Sequence, residues 1–249
     1  MATIYKSEGE FLAAYDANAF DRPSATSDVL IFSVSSSEGE NWRRAAKKAF
    51  SVLLVKRDDY PFLGKWNLPG GFVKIDETSA NAAMRILKNE TGVADKIHLE
   101  QLYTFDTPNR DPRTRVISIA HMALVDKALL HYAAERVAKW FDVEMKDGRL
   151  SLCSDGECLS GGDLAFDHAE IIKTGVLRMR GKIEYTDIVF DMMPAEFTLG
   201  ELQQVYEAVL DRKLLPAAFR RVIADKVEAT GGMQTGLGHR PSALFRYKR

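Results

Sequence analysis

The spacing of apolar residues changes period several times along the chain, and each change marks an element. The segments DVLIFSVS (28–35) and FSVLLVKRD (50–58) are runs of Val, Ile, Leu and Phe that predict strands, with the Ser, Gly and Glu-rich SSSEGENWRRAAKK as the loop between them. GKWNLPGGFVKI (64–75) reads as extended around a Pro-Gly-Gly turn, and TSANAAMRILKNETG (78–92) as an amphipathic helix ended by Gly92. RTRVISIAHMALVD (113–126) predicts a long strand and LLHYAAERVAKW (129–140) a helix. FDVEMKDGRLSLC alternates on either side of Asp147-Gly148, which predicts a hairpin. Polar CSDGECLSGGD (153–163) reads as a surface loop at a boundary. Strands and helices mixed in this way make one α+β domain over residues 1–162.

A different texture follows. Asp167 with Glu170 predicts a capped start for the connecting helix HAEIIKTGVLRMRGK, so residues 163–194 are expected to form a helix and a strand that join two modules. Thr198 and Glu201 form a second capping box, after which Leu202, Val205, Tyr206, Val209 and Leu210 recur on one helical face. Pro216 starts the helix PAAFRRVIADK. In it Phe219, Val222 and Ile223 share one face and Ala218, Arg221 and Asp225 another. VEAT and SALFRYK, joined by GGMQTGLGHRP, complete a two-stranded ribbon. Helix, turn, helix and ribbon over residues 195–249 predict a winged helix-turn-helix.

Charge sharpens this picture. The 249 residues carry a formal net charge of -1, but residues 212–249 hold nine Lys or Arg against two acids, a local +7, so residues 1–211 carry -8. The basic end is where nucleic acid contact is expected. Arg220 and Arg221 are placed nearest a major groove. His239, Arg240, Arg246, Lys248 and Arg249 of the wing are placed on phosphates or in the minor groove, and Arg212, Lys213 and Lys226 are further candidate DNA-binding cations. No segment approaches the length of a spanning helix, and MATIYKSEGEFLAAYD lacks a basic stretch followed by an apolar one, so neither membrane insertion nor secretion is expected. Cys153 and Cys158 are too few for a disulfide scaffold or a four-ligand zinc site, and a reducing cytoplasm is the expected compartment.

Gly71, Glu77, Arg85, Leu87, Glu90, Gly92 and Val93, preceded by Trp66 and Leu68-Pro69-Gly70, fall at the spacing of the Nudix box. The resemblance implies an α/β/α sandwich that binds nucleoside diphosphates linked to another moiety. Most members hydrolyse the diphosphate, with several helix carboxylates holding Mg²⁺ or Mn²⁺. Here the glutamate expected after Arg85 is Ile86, and the first of the paired glutamates is Asn89. Losing a catalytic base forfeits about 10²- to 10⁴-fold in rate, so hydrolysis should be slight or absent. Glu77 and Glu90 remain as vestigial metal ligands for residual Mg²⁺ or Mn²⁺, with no cofactor required. Glu77 and Arg85 also suit a structural ion pair.

A binding site can outlive a catalytic one, because affinity rests on phosphate donors and stacking surfaces. Gly70, Gly71, Arg85, Arg110 and Arg113 are the candidate diphosphate residues, with Trp66 as the candidate stacking surface beside Phe62 and Tyr103. His121, alone in an apolar strand, reads as structural.

The run LAFDHAEIIKTGVLRMRGKIEYT, then FTLGELQQVYEAVL, FRR and RPSALFRY, resembles the Nudix-related transcriptional regulators of NAD metabolism over nearly the whole chain. That resemblance implies a dimeric repressor on palindromic operators of NAD synthesis or salvage genes, with ADP-ribose or a related NAD derivative as effector. Two rivals share the sequence features. One is an ADP-ribose or nucleoside-diphosphate-sugar pyrophosphatase whose C-terminal domain only dimerises. The other is a Nudix-type regulator of sugar metabolism.

Overall fold

A computed structural model describes residues 5–37, 47–92, 97–127, 137–234 and 241–248. A short helix, α1 (Glu8–Ala14), is capped by the Ser7 hydroxyl and buries none of its residues. Strands β1 (Ser24–Ser37), β2 (Lys47–Lys56), β3 (Trp66–Asn67) and β4 (Gly70–Phe72) lead into helix α2 (Ser79–Thr91). Then come β5 (His98–Phe105), β6 (Val116–Leu124), β7 (Ala138–Lys146), β8 (Arg149–Ser154) and β9 (Glu157–Ser160). Helices α3 (His168–Lys182), α4 (Leu199–Leu210) and α5 (Pro216–Ile223) precede the ribbon β10 (Val227–Gln234) and β11 (Ser242–Tyr247).

The first nine strands form one sheet in the order β5-β6-β1-β2-β7-β8-β9, with β3 on β2 and β4 on β1. β1 runs parallel to β6 and antiparallel to β2. Its alternating side chains divide the core. Val29 and Ile31 join Leu53, Ala83, Ile86 and Leu87 in a cluster under α2, while Leu30 and Phe32 join Ile171, Ile172 and Val176 under α3. Helices therefore cover both faces, which is the α/β/α sandwich. Gly175 sets the approach of α3, since a Cβ there would stand 2.0 Å from the Leu30 side chain.

The α3 cluster continues through Met179, Ile188, Val189 and Phe197 into Leu202, Val205, Tyr206, Phe219 and Ile223. One apolar core thus runs from the sheet into the winged helix, across the boundaries expected near residues 162 and 194. Thr198 and Glu201 form the capping box of α4, with Glu201 N–H donating to Thr198 Oγ1 at 3.1 Å and Thr198 N–H to Glu201 Oε2 at 2.8 Å.

Several expectations are corrected. Of the helix expected over 129–140, residues 129–136 lie outside the described residues, and Ala138–Trp140 belong to β7, because they pair with Val55–Leu53. The 153–163 segment is chiefly a hairpin, turning on Asp155 (φ 47°) and Gly156 (φ 82°), the left-handed pair that a two-residue turn requires. Cys153 and Cys158 oppose each other on it with Cα atoms 4.2 Å apart and are joined by a disulfide. No strand occurs between residues 163 and 194. After α3 the chain forms a 3-10 turn, Ile188–Met192, burying Ile188, Val189 and Met192 at a spacing that alternation cannot produce. Asp167 does not cap α3 with its side chain. Val222 is exposed, because α5 packs through Phe219 and Ile223 alone.

Candidate functional site

A cleft of about 270 Å³ opens between β4, the end of β2, the loop between β5 and β6, and the residues before α3. Its floor is ionic. Asp28, buried on β1, accepts from Ser118 Oγ at 2.6 Å and from Arg110 Nη2 at 3.3 Å. Arg110 also forks onto Asp167, with Nε 2.8 Å from Oδ2 and Nη2 2.5 Å from Oδ1. Burial works against the Arg110 charge, but the two carboxylates outweigh it and raise its pKa. Gly70 lies over Asp28, where a Cβ would come within 2.3 Å of Oδ1. No larger residue fits that approach. His168 Nδ1 accepts the Leu68 N–H at 2.8 Å, which leaves the ring proton on Nε2, 3.8 Å from Asp28 Oδ1. Burial lowers the His168 pKa, so the ring is neutral.

The walls combine cations with aromatic faces. Arg113 is held by Asp111 at 2.7 Å and 3.0 Å, and its guanidinium lies 5.6 Å from the Phe72 ring centroid and 5.9 Å from that of Phe166. Arg57 stands 5.0 Å from the same Phe166 ring. Burial, then the nearby Arg113 charge, lowers its pKa. Phe166 takes φ 53°, an uncommon left-handed conformation for a bulky residue. Guanidinium groups beside the half-exposed Phe72 ring suit a ligand that joins phosphate to a planar ring.

Of the residues expected to bind ligand, Gly70, Gly71, Arg110 and Arg113 line this cleft, and Trp66 and Arg85 do not. Trp66 is 5% exposed, edge-on to Phe141, and donates its indole N–H to Glu157. Arg85 is taken by Glu77, at 2.5 Å and 3.0 Å, and by the Phe72 carbonyl, so this pair latches the turn to α2. The bonds from Arg85, together with the Lys74 N–H, pull the Glu77 pKa down to about 2. Phe62 packs on Phe166 and Tyr103 on Phe105, neither of them in the cleft lining. His121 is buried, with Nδ1 near Ser27 Oγ and the Ile119 carbonyl, as a structural histidine would be. Asp28, Arg57, Asp111, Phe166 and His168 were missed. Only the acid that opens the apolar run DVLIF gave a signal, because a carboxylate buried there needs a partner.

The donor set does not fit a catalytic metal. Ile86 is buried in the α2 cluster with its Cδ1 3.7 Å from where a Gly71 Cβ would stand, Asn89 is exposed, and Glu77 is committed to Arg85. Glu90 lines the cleft as the only acid on α2. Among the described residues no group of three or more His, Cys, Asp or Glu side chains is placed to share an ion.

The second surface is α5. Its Phe219 packs edge-on against Tyr206 while Arg220 and Arg221 project to solvent. Among the described residues neither guanidinium has a hydrogen bond or ion pair. The other cations are less free than their number suggests. Arg212 pairs with Glu184 at 2.5 Å, Lys213 with Glu207 at 2.6 Å, Lys226 with Asp187 at 2.7 Å and Arg246 with Glu228 at 2.6 Å. The exposed pairs Arg212–Glu184 and Arg246–Glu228 contribute little to stability, whereas Glu207 is largely buried and also accepts from Gln203 and the Leu214 N–H. His239 and Arg240 lie outside the described residues.

Comparison with known proteins matches residues 29–151 to the NUDIX domain and residues 189–247 to the NrtR DNA-binding winged helix domain. The chain is 32% identical to the ADPR responsive transcriptional repressor NtrR of Acinetobacter baylyi, over 98% of this chain and 89% of that one. It belongs to the NrtR family. Two solved structures share the arrangement. Shewanella oneidensis NrtR complexed with a 27mer DNA superposes with a TM-score of 0.68 at 28% identity, covering 90% of this chain and 93% of that one. A MutT/nudix family protein from Enterococcus faecalis gives 0.75 at 27%, covering 97% and 94%. Most of the cleft lining lies within the NUDIX match, with Thr26, Asp28, Phe166 and His168 outside it, and α5 lies within the winged-helix match. No helix among the described residues is long and apolar enough to cross a membrane.

Proposed function

We propose that this chain is a DNA-binding transcriptional repressor of NAD synthesis or salvage genes, whose Nudix cleft binds ADP-ribose or a related NAD-derived diphosphate and does not turn it over. The observation that carries the reading is Ile86. The position where a hydrolase helix needs a carboxylate is built into an apolar cluster, while the glycine turn and the cations of the cleft stay in place. A sensor that destroyed its signal would report poorly, and this helix lacks the means to destroy it.

The repressor acts as a homodimer on a palindromic operator in the cytoplasm, with half-sites about one helical turn, ~10 bp, or a multiple apart. Arg221 and Arg220 address the major groove. Arg212, Lys213, Lys226 and Arg246 exchange their acidic partners for phosphates, joined by His239 and Arg240. No metal is required, and any Mg²⁺ or Mn²⁺ held by Glu90 and Glu77 is residual.

The test uses a duplex that the full chain selects from a randomised pool. Its affinity should drop steeply with salt, as counterions are released. Arg221→Ala should reduce discrimination between selected and scrambled duplexes. Alongside, ADP-ribose incubated with the chain and Mg²⁺ should be recovered intact. Turnover at about 1 per second or faster, with no preferred duplex, would establish the pyrophosphatase instead.

A further inference from the structure

Helix α3 begins with a side chain suited to closing its first turn that does something else. Asp167 stands immediately before His168, yet its carboxylate makes no hydrogen bond to the helix. An aspartate at this position ordinarily caps. Here both oxygens face the fork of Arg110. Arg110 lines the cleft with its side chain 4% exposed, whereas Asp167 is not part of the lining.

The far end of α3 is tied to the helix-turn-helix. Arg180 Nε donates to the Val209 carbonyl, in the last turn of α4, at 3.1 Å, and its Nη2 lies 3.8 Å from Asp211. The turn after Asp211 leads straight into α5. Between these ends α3 is about 22 Å long, and Gly175 holds it against β1. A rod is thus anchored at one end to a cation of the cleft and at the other to the helix that positions α5.

We infer that Asp167 is the positioning residue through which occupancy of the cleft reaches the DNA-binding helices. A diphosphate and a carboxylate match the same guanidinium fork, so a ligand phosphate competes with Asp167 for Arg110. Once released, the carboxylate takes the N–H groups of the first turn of α3, and the helix shifts at its cleft end. The shift passes through Arg180 to α4 and changes the placing of α5. This rests on the cleft being the ADP-ribose site.

The experiment compares the full wild-type chain with Asp167→Asn and Asp167→Glu. Calorimetry gives the ADP-ribose affinity, and anisotropy of the selected duplex gives DNA affinity with and without saturating ADP-ribose. Wild type should lose roughly 5- to 150-fold in DNA affinity on adding ligand. Asp167→Asn should bind ADP-ribose roughly 3- to 10-fold more tightly, because the internal competitor is weakened, and the ligand should then change its DNA affinity by less than about twofold. Asp167→Glu, which keeps the carboxylate, should respond between the two.

A wild-type response in Asp167→Asn overturns the inference and leaves the ligand site standing, and so does weakened ADP-ribose binding, which would make Asp167 part of the site. Absence of any ADP-ribose effect in wild type overturns the proposed function itself and the inference with it. If Asp167→Asn gives no cooperative melting transition, Asp167→Glu decides. A reduced response at undiminished ADP-ribose affinity supports the relay, and a full response overturns it.

Discussion

At position 86 a buried isoleucine sits among Ala83, Leu87, Leu53 and Val29, beneath the turn that a phosphate would approach. Ile86→Glu would carry a carboxylate into that cluster, where desolvation raises its pKa, at a cost of about 2–4 kcal/mol. For a chain of this size the expected drop in Tm is roughly 5–15 °C. An unchanged Tm would mean that the side chain turns into the cleft. Glu77 gives a test by pH. Its pKa is lowered to about 2 from an ordinary 4.5, so the unfolded chain binds its proton first. The stability it contributes is therefore present above pH 4.5 and is lost as pH falls through about 2. Glu77→Gln should flatten the acid limb of stability between those values in denaturant titrations, and an unaltered limb would contradict the latch. The spacing from Gly71 to Glu90 was legible because one turn and one helix set it. Arg110 was legible as a cation, but its ion pairs with Asp28 and Asp167 were not, since the partners lie 82 and 57 residues apart and only the folded sheet brings them together.

Among the elements, the strands and capped helices followed from local pattern, while the misreadings arose where packing overrode it. Val222 fits the apolar face of an isolated helix, but α5 is short and touches its neighbours through Phe219 and Ile223. The 153–163 segment looked like a loop because it is polar, although Asp155-Gly156 carries the turn chemistry of a hairpin. Asp167 matched a cap, and a cation from the cleft claimed it. Helix α3 offers the sharpest test at this scale. Gly175→Ala would place a Cβ 2.0 Å from Leu30 and 3.2 Å from Phe32, in a part of the core with no slack. Overpacking of this kind costs about 1–3 kcal/mol or more, so thermal denaturation should show a lower Tm, although alanine is the better helix former. A Tm equal to or above the wild-type value would refute the close packing of α3 on β1.

For the whole molecule, the continuous core ties the Nudix sheet to the winged helix, so the two modules are mechanically joined rather than strung on a linker. His98 adds an ionic tie between β5 and the 3-10 turn at the start of the winged-helix match. Its Nδ1 is 3.3 Å from Asp191 and its Nε2 3.1 Å from Glu100, which also pairs with Lys182. Asp191 first, then Glu100, raise its pKa against the opposing effect of burial. The stability it supplies is fully present below about pH 6.5 and is lost as pH rises through the raised folded value. His98→Gln should therefore remove part of the fall in stability above pH 6.5, and an identical pH profile would exclude the tie. The basic C-terminal segment was legible as a DNA-binding end, but four of its cations proved to be paired, which composition cannot reveal.

In the proposed regulator, a Nudix cleft whose helix carries Ile86 and Asn89 where carboxylates are expected governs a DNA-binding helix. Titration of ADP-ribose into the complex of the full chain with its selected duplex tests it most directly. The expected result is a saturable loss of DNA affinity, by roughly 5- to 150-fold, with the ADP-ribose intact at the end. DNA affinity that stays constant at saturating ADP-ribose would contradict it.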